Sequence, residues 1–306
     1  MPDTLIECVP NFSEGQRPEV VQSIVAAMRV EGVRLLDWSL DGDHNRSVVT
    51  VAGPPAGVIE AAIRGAGRAA ELIDLTSQHG VHPRIGAADV IPFVPVRDIS
   101  LEQCALLARQ AGSEIWKRHQ VPVYFYEAAA ARPDRAMLEE VRRGQFEGLR
   151  EAVLREPARR PDVGGPNLHP TAGASAVGAR KFLIAFNLFL DTPDVAVARA
   201  IARDIRQSGG GLAGVKAMGV AAQSQAQVSM NITDFTRTPV GEVYAAVKEK
   251  ARRHNAQPVR AELIGLIPEA AVEQNSEWVR LLHEFDPDHK ILERRLERPL
   301  AWPNGQ

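Results

Sequence analysis

The chain has 306 residues, of which 45% are apolar and 24% charged, and its formal net charge at pH 7 is -2. This length and composition are typical of a globular protein with two ordinary domains or one large domain. The charge balance argues against the sequence-independent attraction to nucleic acid that a strongly basic surface provides. No run of eighteen apolar residues occurs, and the first residues do not form a secretory signal. We therefore expect a soluble cytoplasmic protein that binds neither nucleic acid nor membranes.

The first 96 residues show a regular series of strand and helix patterns. Strands are predicted from apolar or alternating runs and helices from a 3.6-residue period. In chain order the predictions are a strand at 5–9, a helix at 18–28, strands at 33–38 and 46–51, a helix at 56–75 and a strand at 88–96. The order is β-α-β-β-α-β.

The same order recurs in the second half of the chain. Strands are predicted at 182–190, 215–220, 227–232 and 259–267, with helices at 192–205 and 240–254. Two copies of a split β-α-β unit are the simplest explanation. The predicted fold class is therefore α+β, an α/β sandwich of two tandem ferredoxin-like βαββαβ subdomains. Each unit covers one sheet face with helices, so the bare faces can face each other across a cleft, where ligand sites are common.

The segment between the two copies contains further elements and a candidate hinge. A helix at 101–118 and a strand at 121–126 precede another helix and the proline- and charge-rich residues 155–162, where we place the hinge. The predicted domains are an N-terminal subdomain of residues 1–178 and a C-terminal subdomain of residues 179–306 that includes a charged tail.

Residues 78–95 are the strongest candidate for a functional site. They combine His79, His82, Arg84 and Asp89 with small residues and then enter an apolar strand. Because the residue before a proline is confined to extended conformations, the imidazole of His82 stands on a stiff backbone. The small residues beside it leave room for a ligand. We predict a functional role for His82 and interpret His79 as a surface residue.

Two other segments carry features typical of binding sites. Arg46 follows a turn and opens a strand, where a guanidinium can hold a carboxylate through two hydrogen bonds. A solvated turn arginine is the alternative interpretation. Residues 164–173 are rich in glycine, which lets a ligand approach the backbone closely. A plain linker is the alternative for this segment.

Metal binding is a further possibility for the histidine-rich stretch. His79, His82 and Asp89 offer imidazole and carboxylate ligands that suit zinc. Their spacing matches no well-known metal motif, and we predict no metal site.

Five segments taken together resemble one known family. They are ECVPNFSEG at 7–15, NRSV at 45–48, HPRIGA at 82–87, GARKFLIAFN at 178–187 and AQVSMN at 226–231. In this order they resemble the glutamate formiminotransferases, which also form the transferase part of the bifunctional formiminotransferase-cyclodeaminase. The resemblance runs from about residue 5 to residue 270.

The resemblance implies a reaction and its participants. The formimino group of N-formimino-L-glutamate would pass to tetrahydrofolate as co-substrate, giving 5-formiminotetrahydrofolate and L-glutamate in histidine degradation. It also implies a homodimer that uses these small molecules and no metal, with the folate in a groove between the two subdomains.

The resemblance also assigns site residues. The family's catalytic histidine falls on His82, which we expect to act as a general base worth roughly 10²- to 10⁴-fold in rate. Arg46 and Arg84 are candidates for holding the substrate carboxylates. The implied folate-binding residues are Val163, Gly164, Gly165, Pro166, Asn167, Leu168, His169, Pro170, Thr171 and Ala172.

The chain departs from the family pattern at two positions. The family has an aspartate where Ser39 stands and a tryptophan where Ala172 stands. If that aspartate orients the base, then Asp37, Asp41 or Asp43 must take its place.

Two other functions remain as alternatives: a metal-dependent hydrolase of formimino amino acids with His79, His82 and Asp89 as ligands, and a folate-binding protein without catalytic activity.

Overall fold

The computed structural model describes residues 4–42, 44–80, 82–272, 276–283 and 285–303, and these form two compact units. The first unit extends to Arg180 and also includes residues 299–303. The second unit is Lys181–Arg298. Each unit has its own hydrophobic core. No helix within these described ranges is long and apolar enough to cross a bilayer.

The first unit contains the predicted βαββαβ series and an extension of it. Its elements are β1 (Leu5–Cys8), β2 (Asn11–Phe12), α1 (Pro18–Ala27), β3 (Arg34–Asp41), β4 (Arg46–Gly53), α2 (Pro55–Leu72), β5 (Ala88–Arg97), α3 (Leu101–His119), β6 (Val123–Glu127), α4 (Leu138–Val141), α5 (Gln145–Arg155) and β7 (Ser175–Ala179). Strand β1 pairs with β4 and β5, and β3 pairs with β4, all antiparallel. Strand β7 lies parallel to β5 and β6 and widens the sheet.

The bounds of helix α3 follow from local sequence chemistry. Ser100 Oγ accepts a hydrogen bond from the Gln103 backbone nitrogen, and Gln103 Oε1 accepts one from the Ser100 nitrogen at 2.8 Å. This reciprocal capping box starts the helix. The helix ends before Gln120, whose φ of 55° is left-handed. Its buried residues include Cys104, Ala108, Ala111 and Ile115, whose three- and four-residue spacing keeps them on one face.

The second unit is a single βαββαβ sheet with short helices after it. Its elements are β8 (Ile184–Leu190), α6 (Val195–Ile205), β9 (Val215–Ala222), β10 (Gln225–Ile232), α7 (Val240–Arg252), β11 (Pro258–Ile264), α8 (Glu277–Arg280), α9 (Pro287–Lys290) and α10 (Leu292–Glu297). The strand order β11-β8-β10-β9 is antiparallel throughout. The predicted α+β class and its duplicated unit are therefore confirmed. The cleft between the two units stays a prediction.

Two predicted boundaries differ from the structure. The hinge predicted at 155–162 lies inside the first unit, because the backbone nitrogens of Asp162 and Val163 donate to the Val123 carbonyl at 2.9 and 3.1 Å. The units divide between Arg180 and Lys181 instead. Residues 299–303, predicted as part of the C-terminal subdomain, lie with the first unit, where the Leu300 nitrogen donates to the Leu35 carbonyl at 2.8 Å.

The backbone between His82 and β5 is packed so closely that only glycine fits at position 86. A Cβ atom on Gly86 would lie 2.1 Å from the Ala174 carbonyl oxygen. We expect Gly86→Ala to lower the free energy of unfolding by about 1–3 kcal/mol, measured by urea denaturation, because the backbone must shift. Gly148→Ala, in helix α5 with no atom within 4 Å of the added Cβ, is the matched control and should raise stability by up to about 1 kcal/mol. Equal stability of the two variants would contradict this packing argument.

Candidate functional site

Asp89 is the buried centre of the candidate site. It is the second residue of β5, and its side chain is inaccessible to solvent. Its Oδ2 accepts a hydrogen bond from Arg46 Nη1 at 2.8 Å and another from Arg142 Nη2. Its Oδ1 accepts one from the Ile85 backbone nitrogen at 2.9 Å. A buried carboxylate is costly unless it is paired in this way.

The two arginines keep Asp89 ionised. Burial alone would raise the pKa of Asp89, but the charges of Arg142 and Arg46, the hydrogen bond from Arg46 and that from Ile85 together lower it to about 2. Asp89 therefore carries a full negative charge at every pH at which a typical protein stays folded. The two guanidiniums remain as a pair of positive charges around one negative charge.

Arg46 is held in place by two strands. It is the first residue of β4, and its Nε donates to Asn11 Oδ1 at 3.1 Å. Asn11 in β2 lies between β4 and β5, paired with Val48 and Val90, and its Nδ2 donates to the Val9 carbonyl at 2.8 Å. Burial lowers the pKa of Arg46 to about 10, and Asp89 opposes this effect. The guanidinium is thus fixed and still charged at neutral pH.

Arg142 is the residue of this site that sequence reasoning missed. It directly follows helix α4, and its side chain is 12% exposed. Besides the bond to Asp89, its Nε is buried without a hydrogen-bond partner among the residues that the structure describes. A buried guanidinium nitrogen without a partner is unusual and is a place where a ligand oxygen can bind. The surrounding charged sequence gave no signal that this arginine points inward.

His82 lies half-buried beside this charge cluster. Its Nδ1 is 2.8 Å from the Pro83 carbonyl oxygen, which can only accept, so Nδ1 carries the hydrogen and Nε2 has the free lone pair. Burial is the main cause that lowers the pKa of His82 to about 3; the charges of Arg46 and Arg142 lower it further, and Asp89 opposes them. His82 is therefore a neutral imidazole at physiological pH.

A second histidine lies next to His82. The ring centroids of His44 and His82 are 6.2 Å apart, with the rings at 67° in an edge arrangement. His44 belongs to the turn between β3 and β4, and its Nδ1 is 2.7 Å from Asp41 Oδ2. Asp41 was one of the predicted candidates for an acid near His82. It contacts His44, and His44 in turn lies beside His82. Asp43, another alternative, lies outside the described residues.

Arg84 makes contacts within the protein fold. Its Nη1 and Nη2 donate to the two carboxylate oxygens of Glu147 at 3.1 and 2.9 Å, and its Nε donates to Gln78 Oε1 at 2.6 Å. Nη2 also donates to the Gln78 carbonyl at 2.9 Å. All three nitrogens thus have partners, so Arg84 ties the His82 loop to helix α5. The predicted substrate carboxylate would have to compete with Glu147 for it.

His79, the other histidine of residues 78–95, is more exposed than His82. His79 is exposed, and its backbone carbonyl accepts a hydrogen bond from Asn45 Nδ2 at 2.7 Å. Within the described parts of the chain, no three histidine, cysteine, aspartate or glutamate side chains form a group suited to a metal ion. Asp89, the third ligand in the hydrolase alternative, is instead engaged by two guanidiniums. Nothing in this arrangement favours that alternative.

The predicted folate-binding segment runs beside the His82 loop. The nitrogen of Ala87 donates to the Ala172 carbonyl at 2.9 Å, and the nitrogen of Leu75 donates to the Thr171 carbonyl at 2.9 Å. A tight hairpin joins His169 and Gly173 through two backbone hydrogen bonds of 2.9 and 3.1 Å. The second half of the segment is thus fixed only a few residues from His82.

The two halves of this segment differ in exposure. Leu168 and Ala172 are buried and anchor it, whereas residues 165–167 are exposed. Gly164 and Gly165 have φ values of 78° and 104°, which favour glycine, and a Cβ on Gly164 would lie 2.5 Å from the Trp116 ring. The exposed part is therefore the one that a ligand can reach.

Comparison with known proteins identifies the family. The N-terminal subdomain of the formiminotransferase domain matches residues 5–180, and the formiminotransferase domain matches residues 185–291. The chain belongs to the formiminotransferase family. The first match ends where the two units divide, between Arg180 and Lys181, and the second match lies within the second unit. The resemblance seen in the sequence is thus confirmed.

Several relatives align over most of the chain. The glutamate formimidoyltransferase of Streptococcus pyogenes serotype M1 is 43% identical over 295 residues, which cover 95% of this chain and 98% of that protein. That of Thermoplasma acidophilum is 42% identical, covering 96% and 98%. The formimidoyltransferase-cyclodeaminase of Mus musculus is 40% identical over 86% of this chain and 50% of that longer protein.

The protonation of His82 can be tested directly by NMR. Since burial and two arginines lower its pKa to about 3, the His82 ring signals should not titrate between pH 5 and pH 8. Removing one positive charge in Arg142→Gln should raise the pKa of His82, while burial keeps it below 6.5. Arg143→Gln, which removes a neighbouring exposed charge, is the control and should leave it unchanged. A wild-type His82 that titrates near pH 6.5 would contradict this electrostatic description.

Proposed function

We propose that this protein is a glutamate formimidoyltransferase, which transfers the formimino group of N-formimino-L-glutamate to tetrahydrofolate and releases L-glutamate and 5-formiminotetrahydrofolate. The observation that carries the proposal is a neutral His82 beside Arg46 and Arg142 in a chain of the formiminotransferase family. Relatives with that name, 42–43% identical over nearly their full length, support it.

The reaction needs a base, and His82 has the right protonation state for one. The attacking nitrogen must lose a proton as it bonds to the formimino carbon, and Nε2 of a neutral imidazole accepts it. A pKa of about 3 makes this imidazole a weak base before substrate binds. Because Arg46 and Arg142 contribute to that low value, an anionic substrate next to them would raise the pKa of His82 and strengthen the base.

The same two arginines are the proposed site for a carboxylate of the donor. Formiminoglutamate carries two carboxylates, and guanidinium groups hold carboxylates through charge-assisted hydrogen bonds. Support comes from the buried Nε of Arg142, which has no partner among the described residues, and from the fixed, charged head of Arg46. Arg84 is a weaker candidate, since Glu147 and Gln78 already engage it.

Tetrahydrofolate is proposed to bind along Val163–Ala172. Support for this comes from the exposed residues 165–167 and from the backbone hydrogen bonds that fix the rest of the segment beside the His82 loop. Folate enters as the co-substrate and leaves as product, and no metal is part of the proposal. On the family resemblance alone we further propose a cytoplasmic homodimer that acts in histidine degradation.

A spectrophotometric assay with tetrahydrofolate and formiminoglutamate tests the function. Wild-type protein should form formimino-folate, and His82→Ala should lower kcat by roughly 10²- to 10⁴-fold because the general base is lost. Arg46→Gln should raise KM for formiminoglutamate. The control, His79→Ala, alters an exposed side chain and should keep full activity.

Two results would count against the proposal. Wild-type protein that gives no formimino-folate with either formiminoglutamate or formiminoglycine would overturn the transferase function. Full turnover by His82→Ala would remove His82 from the mechanism.

A further inference from the structure

His44 and Asp41 form a hydrogen-bonded pair beside His82. One carboxylate fixes both the backbone and the ring of this histidine: Asp41 Oδ1 accepts a hydrogen bond from the His44 backbone nitrogen at 2.9 Å, and Asp41 Oδ2 lies 2.7 Å from His44 Nδ1. Since a carboxylate accepts, Nδ1 carries a hydrogen and Nε2 is the nitrogen that exchanges a proton. The His44 side chain is 28% exposed, so it is within reach of both solvent and a ligand.

The loops that carry the two histidines are tied together. Asn45 Nδ2 donates to the His79 carbonyl at 2.7 Å, and Gln78 Nε2 donates to the Asn45 carbonyl at 3.1 Å. A Cβ on Gly80 would lie only 2.5 Å from the His44 carbonyl oxygen, so the backbones themselves approach closely. The 6.2 Å between the ring centroids of His44 and His82 is therefore fixed by the fold.

The proposed reaction needs two proton transfers on two different nitrogens. The attacking nitrogen gives up a proton, and the amine that departs from the formimino carbon takes one up. One imidazole can serve both nitrogens only in turn, by returning to the departing nitrogen the proton that it took from the attacking one. Two imidazoles at a fixed separation can each face one nitrogen.

We propose that His44, held by Asp41, is the general acid that protonates the departing amine while His82 deprotonates the attacking nitrogen. The inference rests on the proposed transferase function. It makes His44 a catalytic residue, since its ring would contact the leaving nitrogen of the donor. It also gives Asp41 the role of positioning His44, which differs from the orientation of His82 for which the sequence left Asp37, Asp41 and Asp43 as candidates.

The bonds and protons balance across the transfer. The lone pair of the attacking amine forms a bond to the formimino carbon, the C=N pair moves to the imino nitrogen, and the proton of the attacking nitrogen passes to His82. The C=N double bond then re-forms, the bond to the departing nitrogen breaks with its electron pair on that nitrogen, and His44 supplies a proton there. His82 ends protonated and His44 neutral, and proton exchange with solvent resets both.

The surroundings of the two rings suit these opposite roles. His82 is kept neutral by burial and by two nearby guanidiniums. His44 has a carboxylate at hydrogen-bond distance, and such a partner stabilises an imidazolium.

The test compares His44→Gln with a matched histidine elsewhere. His289 Nδ1 lies 2.7 Å from Asp286 Oδ2, with the same three-residue spacing, in the second unit. With formiminoglutamate, His44→Gln should lower kcat by about 10²-fold or more and change KM little, because general acid catalysis is lost and binding is kept. Asp41→Asn should give a smaller loss of kcat, and His289→Gln should match wild type.

A second donor separates an acid from a merely structural residue. N-phenylformamidine releases aniline, a weakly basic amine that needs less help from an acid. The loss in kcat/KM caused by His44→Gln should therefore be at least tenfold smaller with this donor than with formiminoglutamate, whereas His82→Ala should impair both. Unfolding midpoints of all variants show whether they remain folded.

The outcomes distinguish the inference from the function on which it rests. Wild-type protein inactive with formiminoglutamate would defeat the proposed function. An active wild type with a folded His44→Gln that loses less than threefold in kcat would overturn the inference alone. An equal loss with both donors would also overturn it, since the role of His44 would then be structural.

Discussion

The site depends on one buried carboxylate. Asp89 lies at the start of β5 with its side chain inaccessible to solvent. It joins two segments that are distant in sequence, the start of β4 through Arg46 and the end of α4 through Arg142, to the neighbouring His82 loop through Ile85. Without its cations Asp89 would be an uncompensated buried charge, and without Asp89 the two arginines would repel each other. The carboxylate and the guanidiniums therefore have to be present together.

The electrostatics of His82 follow from this cluster. A buried carboxylate that is neutralised by one cation would leave little net charge, but two guanidiniums around Asp89 leave an excess of positive charge beside the imidazole. Burial is the main cause that keeps His82 neutral, and this excess lowers its pKa further and attracts anions. A dicarboxylate donor would thus be drawn to the place where its negative charge makes His82 a better base, so binding and activation of the base would be coupled.

The sequence predicted the features that depend on local patterns. The duplicated βαββαβ order followed from periodicity and turn residues. The roles of His82 and Arg46, which came from motif chemistry and the family resemblance, stay predictions. Arg142 was missed because it stands 53 residues from Asp89, in a charged helical stretch that is typical of a solvated surface. Only the tertiary fold turns its guanidinium inward.

Two other differences also have physical reasons. The proline-rich residues 155–162 look like a linker, but backbone hydrogen bonds from Asp162 and Val163 to Val123 hold their end against β6, and the chain then returns to the sheet as β7. Arg84 was predicted to bind substrate because it stands two residues after His82, and it stays a weaker candidate for that role. Its actual partners, Glu147 and Gln78, lie in α5 and in the preceding loop, and the first of them is too distant in sequence for local reasoning to find.

A double-mutant cycle on Asp89 and Arg142 tests the central claim, that these buried charges stabilise one another. Urea denaturation gives the free energies of unfolding of wild type, Asp89→Asn, Arg142→Met and the double variant. Asp89→Asn should cost about 3–5 kcal/mol because it leaves two guanidiniums without their counter-charge. The double variant should be more stable than the sum of the two single losses predicts, by about 1–3 kcal/mol. Losses that add to within about 0.5 kcal/mol would show that the two side chains do not interact, and would contradict the account.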